Sequence, residues 1–256
     1  MHLCLDVGNS HIYGGVFLKD ALALGFRHDS KQSYSSDQFG LFLKHVLREN
    51  AIEPAAIKHI GICSVVPSVD YALQAACIKY FAIKPFILQA GVKTGLKVRY
   101  NNPLEVGADR IANAIAAVHL FPKSPLIIVD FGTATTCCAI NAAGEYLGGA
   151  ILPGMRLSMD ALQQNTAKLF PVDISTPPQA IGKSTRESLQ SGIYYAQLGT
   201  VKELIARFSQ EFNSKDAPII LGTGGFATMF ADEQLFTAII PDLVLQGIRF
   251  AMHLNR

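Results

Sequence analysis

The 256-residue chain predicts an α/β fold of two duplicated domains, each a mixed sheet flanked by helices. Three observations predict it. Leu126–Val129 runs four aliphatic residues straight into Asp130, Phe131, Gly132 and Thr133, the pattern of a strand buried on both faces and ending in a polar turn. Leu3–Val7 does the same at the start of the chain, ending in Asp6, Val7, Gly8, Asn9 and Ser10. Each of these strands is then followed by strand, turn, strand and helix in the same order, so Asp6 and Asp130 are equivalent points of a duplicated domain rather than of a short repeat array. The expected domains are 1–115 and 116–256, with the C-terminal helix able to pack back on the first.

Taken in order, Leu3–Val7 is a strand, His11–Leu18 a second, Lys19–Asp20 a turn and Ala21–Arg27 a third strand. Ser36–Asp37 opens a helix whose apolar residues Phe39, Phe42, Leu43, Val46 and Leu47 recur at separations of three and four and form one face. Ile57–Cys63 is a strand running into Ser64–Pro67, followed by a helix over Ser68–Phe81 and a strand near Pro85–Leu88. Asn101–Arg110 leads into a helix with Ile111, Ala114, Ile115 and Val118 on its apolar face. In the second half, strands at Pro125–Val129, Thr135–Ile140 and Glu145–Ile151 enclose a turn at Asn141–Gly144. Helices follow over Gly154–Lys168 and, after the proline-rich loop Pro171–Gly182, over Ser184–Phe212. Ile219–Leu221 is a strand ending in Gly222–Gly225, and Pro241–Leu254 closes the chain as a helix.

Composition narrows the function classes. Half the residues are hydrophobic and 16% are charged, ample for a buried core. The formal charge of +2 comes from scattered Lys and Arg without a basic run, which argues against nucleic acid as a partner. Cys4, Cys63, Cys77, Cys137 and Cys138 form no CxxC pair and lie mostly in apolar runs, reading as buried reduced thiols. The seven histidines show no HExxH spacing, so a transition-metal site has little support. No apolar run is long enough to cross a bilayer, and the chain reads as cytoplasmic, with no membrane partner.

Two turns carry the chemistry. A glycine after a buried strand lets a phosphate approach the backbone, and the neighbouring acid can hold a cation beside it. For Asp6–Ser10 the plain alternative is a hairpin turn, since Gly and Asn are ordinary turn residues; the second copy at Asp130–Thr133 shifts the balance toward phosphate. Two like domains facing across a cleft would bring both turns to one nucleotide, and magnesium, which keeps several waters, needs only one or two such carboxylates. Gly222–Ala227 matches G-x-G-x-x-A, with Asp242 about twenty residues on, but the chain after it is too short for a dinucleotide-binding sheet. It reads instead as the wall of an adenosine pocket. Asp109 falls in the first turn of its helix, where an acid either complements the helix dipole or reaches a substrate hydroxyl as a base. Arg110 is an anion ligand or a surface charge, and Tyr100 a loop aromatic or a substrate wall; spacing leaves these readings level. Ser184 and Glu187 form a capping box, which does not exclude a ligand contact from Thr185.

Together these motifs resemble the type III pantothenate kinases, of the actin, sugar-kinase and heat-shock ATPase superfamily. The resemblance runs nearly end to end, through DVGNS, SVVP at Ser64–Pro67, NNPLEVGADR, DFGTATT, GGAILPGM, GKSTRES, TGGFA and PDLVLQG. Ser10 stands where threonine is commoner, which keeps the hydroxyl, and Cys137–Cys138 follow DFGTATT in a variable strand. The resemblance implies two actin-like (ribonuclease H-like) domains and ATP-dependent phosphorylation of pantothenate, the first step of coenzyme A synthesis. It implies that Asp6, Val7, Gly8, Asn9, Ser10, His11, Ile12 and Tyr13 form the ATP phosphate segment, with Thr133 a second ATP contact. It makes Asp109 the proton acceptor for the pantothenate hydroxyl, and Tyr100, Gly107, Ala108, Asp109 and Arg110 pantothenate ligands. Asp130 would bind the monovalent cation, K+ or NH4+, with Mg2+ near Asp6 through water, and Thr185 would reach substrate across a homodimer interface. Two other readings keep the fold: a kinase of another small alcohol or sugar, and a non-catalytic accessory factor for transcription. EVGADR argues against the first, and the retained Asp109 against the second.

Overall fold

The computed structural model describes residues 1–30, 34–212 and 216–256. The chain divides into two compact units: Met1–Gly95 with Asn102–Ala116 and Leu243–Arg256, and Leu96–Asn101 with Ala117–Asp242.

The first unit is built on β1 (His2–Val7), β2 (His11–Leu18), β3 (Ala21–Asp29), β4 (His59–Ser64) and β5 (Phe86–Leu88), in the order β3-β2-β1-β4-β5. β1 runs antiparallel to β2 and parallel to β4. Period-two alternation sends Leu3, Leu5 and Val7 to one face, where they meet Ile12, Phe26, Ile60 and Ile62 under α1 (Ser36–Glu49) and α2 (Pro67–Phe81). The other face carries Cys4 and Asp6 and packs beneath α6 (Leu243–Leu254), with Gly61 directly under Ile248 and Met252. The start of α3 (Ala108–Leu120) crosses α6 so closely that Gly247 lies on the carbonyl of Ala112. α6 also holds a buried cation: Arg249 is 3% exposed, ion-pairs with Asp20 at 2.5 Å and lies over the rings of Phe17 and Phe250.

The apolar face expected for α1 is present, with Phe39, Leu43 and Leu47 buried and Phe42 and Val46 packed beside them. Its cap lies one residue before the expected start. The Gln38 amide donates to Ser35 Oγ at 3.3 Å, and the Ser35 amide donates back to Gln38 Oε1 at 2.8 Å.

The second unit holds β6 (Lys97–Val98), β7 (Leu126–Phe131), β8 (Ala134–Ile140), β9 (Glu145–Pro153), β10 (Ile219–Thr223) and β11 (Ala238–Ile239), in the order β11-β10-β7-β8-β9-β6. Apart from β6, which adds in parallel outside β9, this repeats the first sheet strand for strand. β7 has β1's place, antiparallel to β8 and parallel to β10. Leu126 to Val129 are each no more than 1% exposed, which is why no polar residue interrupts the run. Ile127, Val129 and Phe131 pack against α4 (Met155–Asn165) and α5 (Thr185–Glu211) through Met155, Met159, Ile193 and Tyr194.

Several element ends and caps differ from expectation: β3 and β9 run two residues further, β4 and α6 begin two residues later, and α4 is shorter. α4 stops at Asn165, where the side chains of Asn165 and Thr166 turn back to the carbonyls of Ala161 and Leu162. Ser184 caps the Glu187 amide at 3.2 Å as expected, while Glu187 returns its bond to the Lys183 amide, at 2.7 Å, rather than to that of Ser184. The glycine turn after β10 leads into a 3-10 segment, Ala227–Glu233. The loop between α4 and α5 is fastened to α5: Gln190 donates to the Asp173 carbonyl at 2.8 Å, and Ser191 to that of Ala180 at 2.5 Å. All five cysteines are buried as free thiols.

Candidate active site

In the first unit the turn between β1 and β2 is closed by the Gly8 amide, which donates to the His11 carbonyl at 3.1 Å. Ser30, just past β3, clamps it from outside. Its hydroxyl donates to the Gly8 carbonyl at 2.6 Å and its amide to the Ser10 carbonyl at 3.2 Å, and it is 6% exposed. Asn9 and His11 are exposed at the turn, Gly8, Ser10 and Tyr13 are half-buried, and Val7 and Ile12 point into the core.

Asp6 stands opposite Cys63 on β4 and Tyr13 on β2. Cys63 is fully buried, and its thiol is held well above the usual range. Burial is the main cause, followed by the negative charge of Asp6 and Asp109, a hydrogen bond to Asp6, and the charge of Asp70. Cys63 therefore stays a thiol and donates a hydrogen bond to Asp6, with Asp109 and Asp70 near enough for their charge to act on it. Asp70 Oδ1 is buried there with no hydrogen-bond partner among the described residues.

Asp109 lies in the first turn of α3, as the spacing predicts. Its Oδ1 accepts the Arg110 amide at 2.8 Å, folding the carboxylate back over Gly107. A Cβ at position 107 would strike that oxygen, so glycine here is a matter of room. Arg110 is 8% exposed and donates to the Glu105 carbonyl at 3.4 Å, which makes it a buried cation rather than a surface charge. Ala108 is half-buried beside it.

In the second unit, Asp130 and Thr133 flank the turn after β7, Asp130 half-buried and Thr133 exposed. Gly224, at φ +88°, brings the turn after β10 onto Asp130 Oδ1 and the Phe131 backbone, a cradle that any side chain would fill. Behind it the Gly154 amide donates to the Thr133 carbonyl at 3.2 Å, and Gln197 donates to the Pro153 carbonyl at 2.6 Å. Tyr100 is half-buried, its ring 6.4 Å from that of Tyr146 and beside Gly148. Thr185 is exposed at the start of α5.

The first unit thus brings Asp6 and Asp109 to one strand end, and the second brings Asp130, Thr133 and the β10 turn together. Cys63, Asp70, Ser30 and Gln197 are neighbours that sequence reasoning does not find, because each meets its turn only through strand or helix pairing.

The donors suit hard cations. Among the described residues no group of three His, Cys, Asp or Glu side chains is arranged to hold a metal unaided. A magnesium ion at Asp6 would draw its other ligands from water and phosphate, as that ion prefers. The orphaned Asp70 oxygen fits such a water-mediated cation, and the Asp130 cradle offers a carboxylate beside closely approaching backbone.

Comparison with known proteins gives three findings. A family model, type III pantothenate kinase, matches residues 2–207. Over 255 residues, 100% of this chain and 99% of the relative, the sequence is 61% identical to a type III pantothenate kinase of Legionella pneumophila (strain Corby). Among solved structures, a protein described as a Baf family transcriptional activator from Campylobacter jejuni aligns at TM-score 0.62 and 19% identity, over 98% of this chain and 97% of that one. One from Sinorhizobium meliloti, described as a 2-dehydro-3-deoxygalactonokinase, aligns at 0.59 and 13%, over 99% and 98%. At these identities the two structures speak for the fold alone, an actin-like α/β fold of mixed sheets flanked by helices.

Proposed function

The chain belongs to the type III pantothenate kinase family, and from that premise we propose that it transfers the γ-phosphate of ATP to the primary hydroxyl of pantothenate. The observation that carries this is 61% identity over the whole chain, with EVGADR and DFGTATT intact. The product is 4'-phosphopantothenate, formed at the first step of coenzyme A synthesis.

Asp109 accepts the hydroxyl proton as the attacking oxygen approaches phosphorus, and its fixed position over Gly107 supports that role. The buried Arg110 pairs with the pantothenate carboxylate, and Tyr100, Gly107 and Ala108 line the same substrate. Residues Asp6 to Tyr13 receive the ATP phosphates on backbone amides, and Thr133 adds a second contact. Phosphoryl transfer needs little covalent help; positioning and charge neutralisation do most of it. Magnesium at Asp6 and K+ or NH4+ at Asp130 would supply part of that neutralisation when bound. The protein works as a cytoplasmic homodimer in which Thr185 reaches the partner's pantothenate. Alternate residues Leu147, Gly149, Ile151 and Pro153 stand exposed along β9, and Leu157 and Ile181 are also exposed, apolar surface in keeping with a partner copy. No helix among the described residues is long and apolar enough to cross a membrane.

The test is ADP release with pantothenate in K+ against Na+, for the wild type and Asp109→Asn. Expected are K+-dependent turnover in the wild type and at least a hundredfold loss in a folded Asp109→Asn. Undiminished turnover by the variant would remove the base assignment, activity on a sugar alone would move the substrate, and sedimentation at one subunit mass would remove the dimer.

A further inference from the structure

The ATP segment Asp6–Tyr13 contains an acid and a histidine but no lysine or arginine. A polyphosphate arriving at that turn therefore meets backbone amides and the negative Asp6, and needs a fixed cation from elsewhere. The sheet supplies one. Asp6 is the register partner of Tyr13, and Tyr13 that of Arg27 on β3. Register partners on neighbouring strands project from the same face, so Arg27, Tyr13, Asp6 and Cys63 form one row across the end of the sheet.

Within that row the Arg27 guanidinium lies over the Tyr13 ring, 4.5 Å from its centre. The ring, which reaches along β3 to the side of Gly25, gives the cation a shelf on the strand that leaves the phosphate turn. Arg27 is exposed, and it forms no ion pair among the described residues, in contrast to Arg99, Arg207 and Arg249, each tied to a carboxylate. Ser30, just past the same strand, also fixes the turn itself by donating to the Gly8 carbonyl at 2.6 Å. The end of β3 thus reaches the nucleotide segment twice, once to hold its backbone and once with a free positive charge.

We infer that Arg27, shelved on Tyr13, is a polyphosphate-binding residue that supplies the cationic side chain the ATP segment lacks. The inference rests on the reading of Asp6–Tyr13 as that segment. The ligand chemistry is the terminal phosphates of a nucleoside triphosphate, which the fork of N–H donors on arginine suits better than the point charge of lysine.

Calorimetric binding of Mg-ATP, Mg-ADP and adenosine to wild type, Arg27→Gln, Arg27→Lys and Ser30→Ala tests it, together with KM for ATP and for pantothenate. Arg27→Gln is expected to weaken ATP about tenfold or more and ADP less, with adenosine and the pantothenate KM unchanged. Arg27→Lys should recover part of the loss. Unaltered ATP binding in Arg27→Gln would overturn the inference and leave Arg27 a surface charge, and equal losses for ATP and adenosine would overturn it in favour of a structural role. Ser30→Ala separates this from the underlying reading. If it weakens ATP while Arg27→Gln does not, the inference about Arg27 fails alone; if neither does, the assignment of the segment fails with it.

Discussion

Asp109 owes its place to a glycine. The carboxylate accepts the Arg110 amide and lies back over Gly107, in the space a Cβ would take. Gly107→Ala pushes the end of a flexible side chain, not backbone, and the helix should still form. The cost therefore falls on chemistry rather than stability. We expect kcat to fall about tenfold or more, since a positioned base is worth roughly 10²–10⁴, with little change in the thermal midpoint. A double variant decides whether the loss runs through Asp109. In an Asp109→Asn background, Gly107→Ala should have no further effect on kcat, because the group it displaces is already gone. Additive losses would show that Gly107 acts on the substrate directly. Sequence spacing places Asp109 in the first turn of a helix, yet the fold-back over Gly107 depends on a side-chain rotamer that no pattern reveals. Ser30 is hidden for another reason: it is 22 residues from Gly8, and only the pairing of β2 with β3 brings them together.

Elements announce themselves when burial dictates every residue. β1 and β7 read as aliphatic runs because both faces are covered, and α1 reads from its three-and-four spacing because one face is. β6 and β11, two residues each, are too short to carry a period, and their strand character comes from the neighbours they pair with. Glycines in helices are ambiguous in the same way, since one residue type marks both tight packing and idle space. Gly247 of α6 touches the Ala112 carbonyl of α3, whereas Gly199 of α5 has nothing within 4 Å of where a Cβ would stand. Alanine is worth up to about 1 kcal/mol over glycine in a helix interior, and overpacking against backbone costs about 1–3 kcal/mol. The two effects compete at Gly247, and the clash should win. Gly247→Ala is expected to lower unfolding free energy in denaturant titration and Gly199→Ala to raise it slightly. Stabilisation by both would mean that α3 and α6 separate without cost.

At the scale of the whole chain, one strand order serves twice, and the last helix returns to the unit that contains the first strand. That return leaves a cluster of basic groups where the chain's two ends meet. The rings of His59 and His253 stand edge-on to His2 at 5.4 and 5.0 Å, and Arg256 donates to His2 Nε2 at 3.2 Å. Arginine has donors only, so this bond requires an unprotonated His2 nitrogen. Burial lowers all three imidazoles, helped by the charge of Arg256, and His2 falls to about 4. Asp20 opposes this only at His253. Between the ordinary histidine value of 6.5 and about 4, the unfolded chain binds more protons than the folded one, so stability rises with pH across that window. The contribution is complete above pH 6.5 and fades as the pH drops toward 4. His28, lowered mainly by its burial, adds to the same slope. Asp37 and Glu145, both depressed by hydrogen bonds and ion pairs, begin to lose their contribution only below the ordinary carboxylate values of 3.8 and 4.5. The histidine slope is therefore separable from the carboxylate one. His2→Gln removes the titrating group at the centre of the cluster, and the fall in thermal midpoint from pH 7 to pH 5 should become shallower than in the wild type. Parallel profiles for the two proteins would show that the acid sensitivity of this chain lies elsewhere than at the docked C-terminal helix.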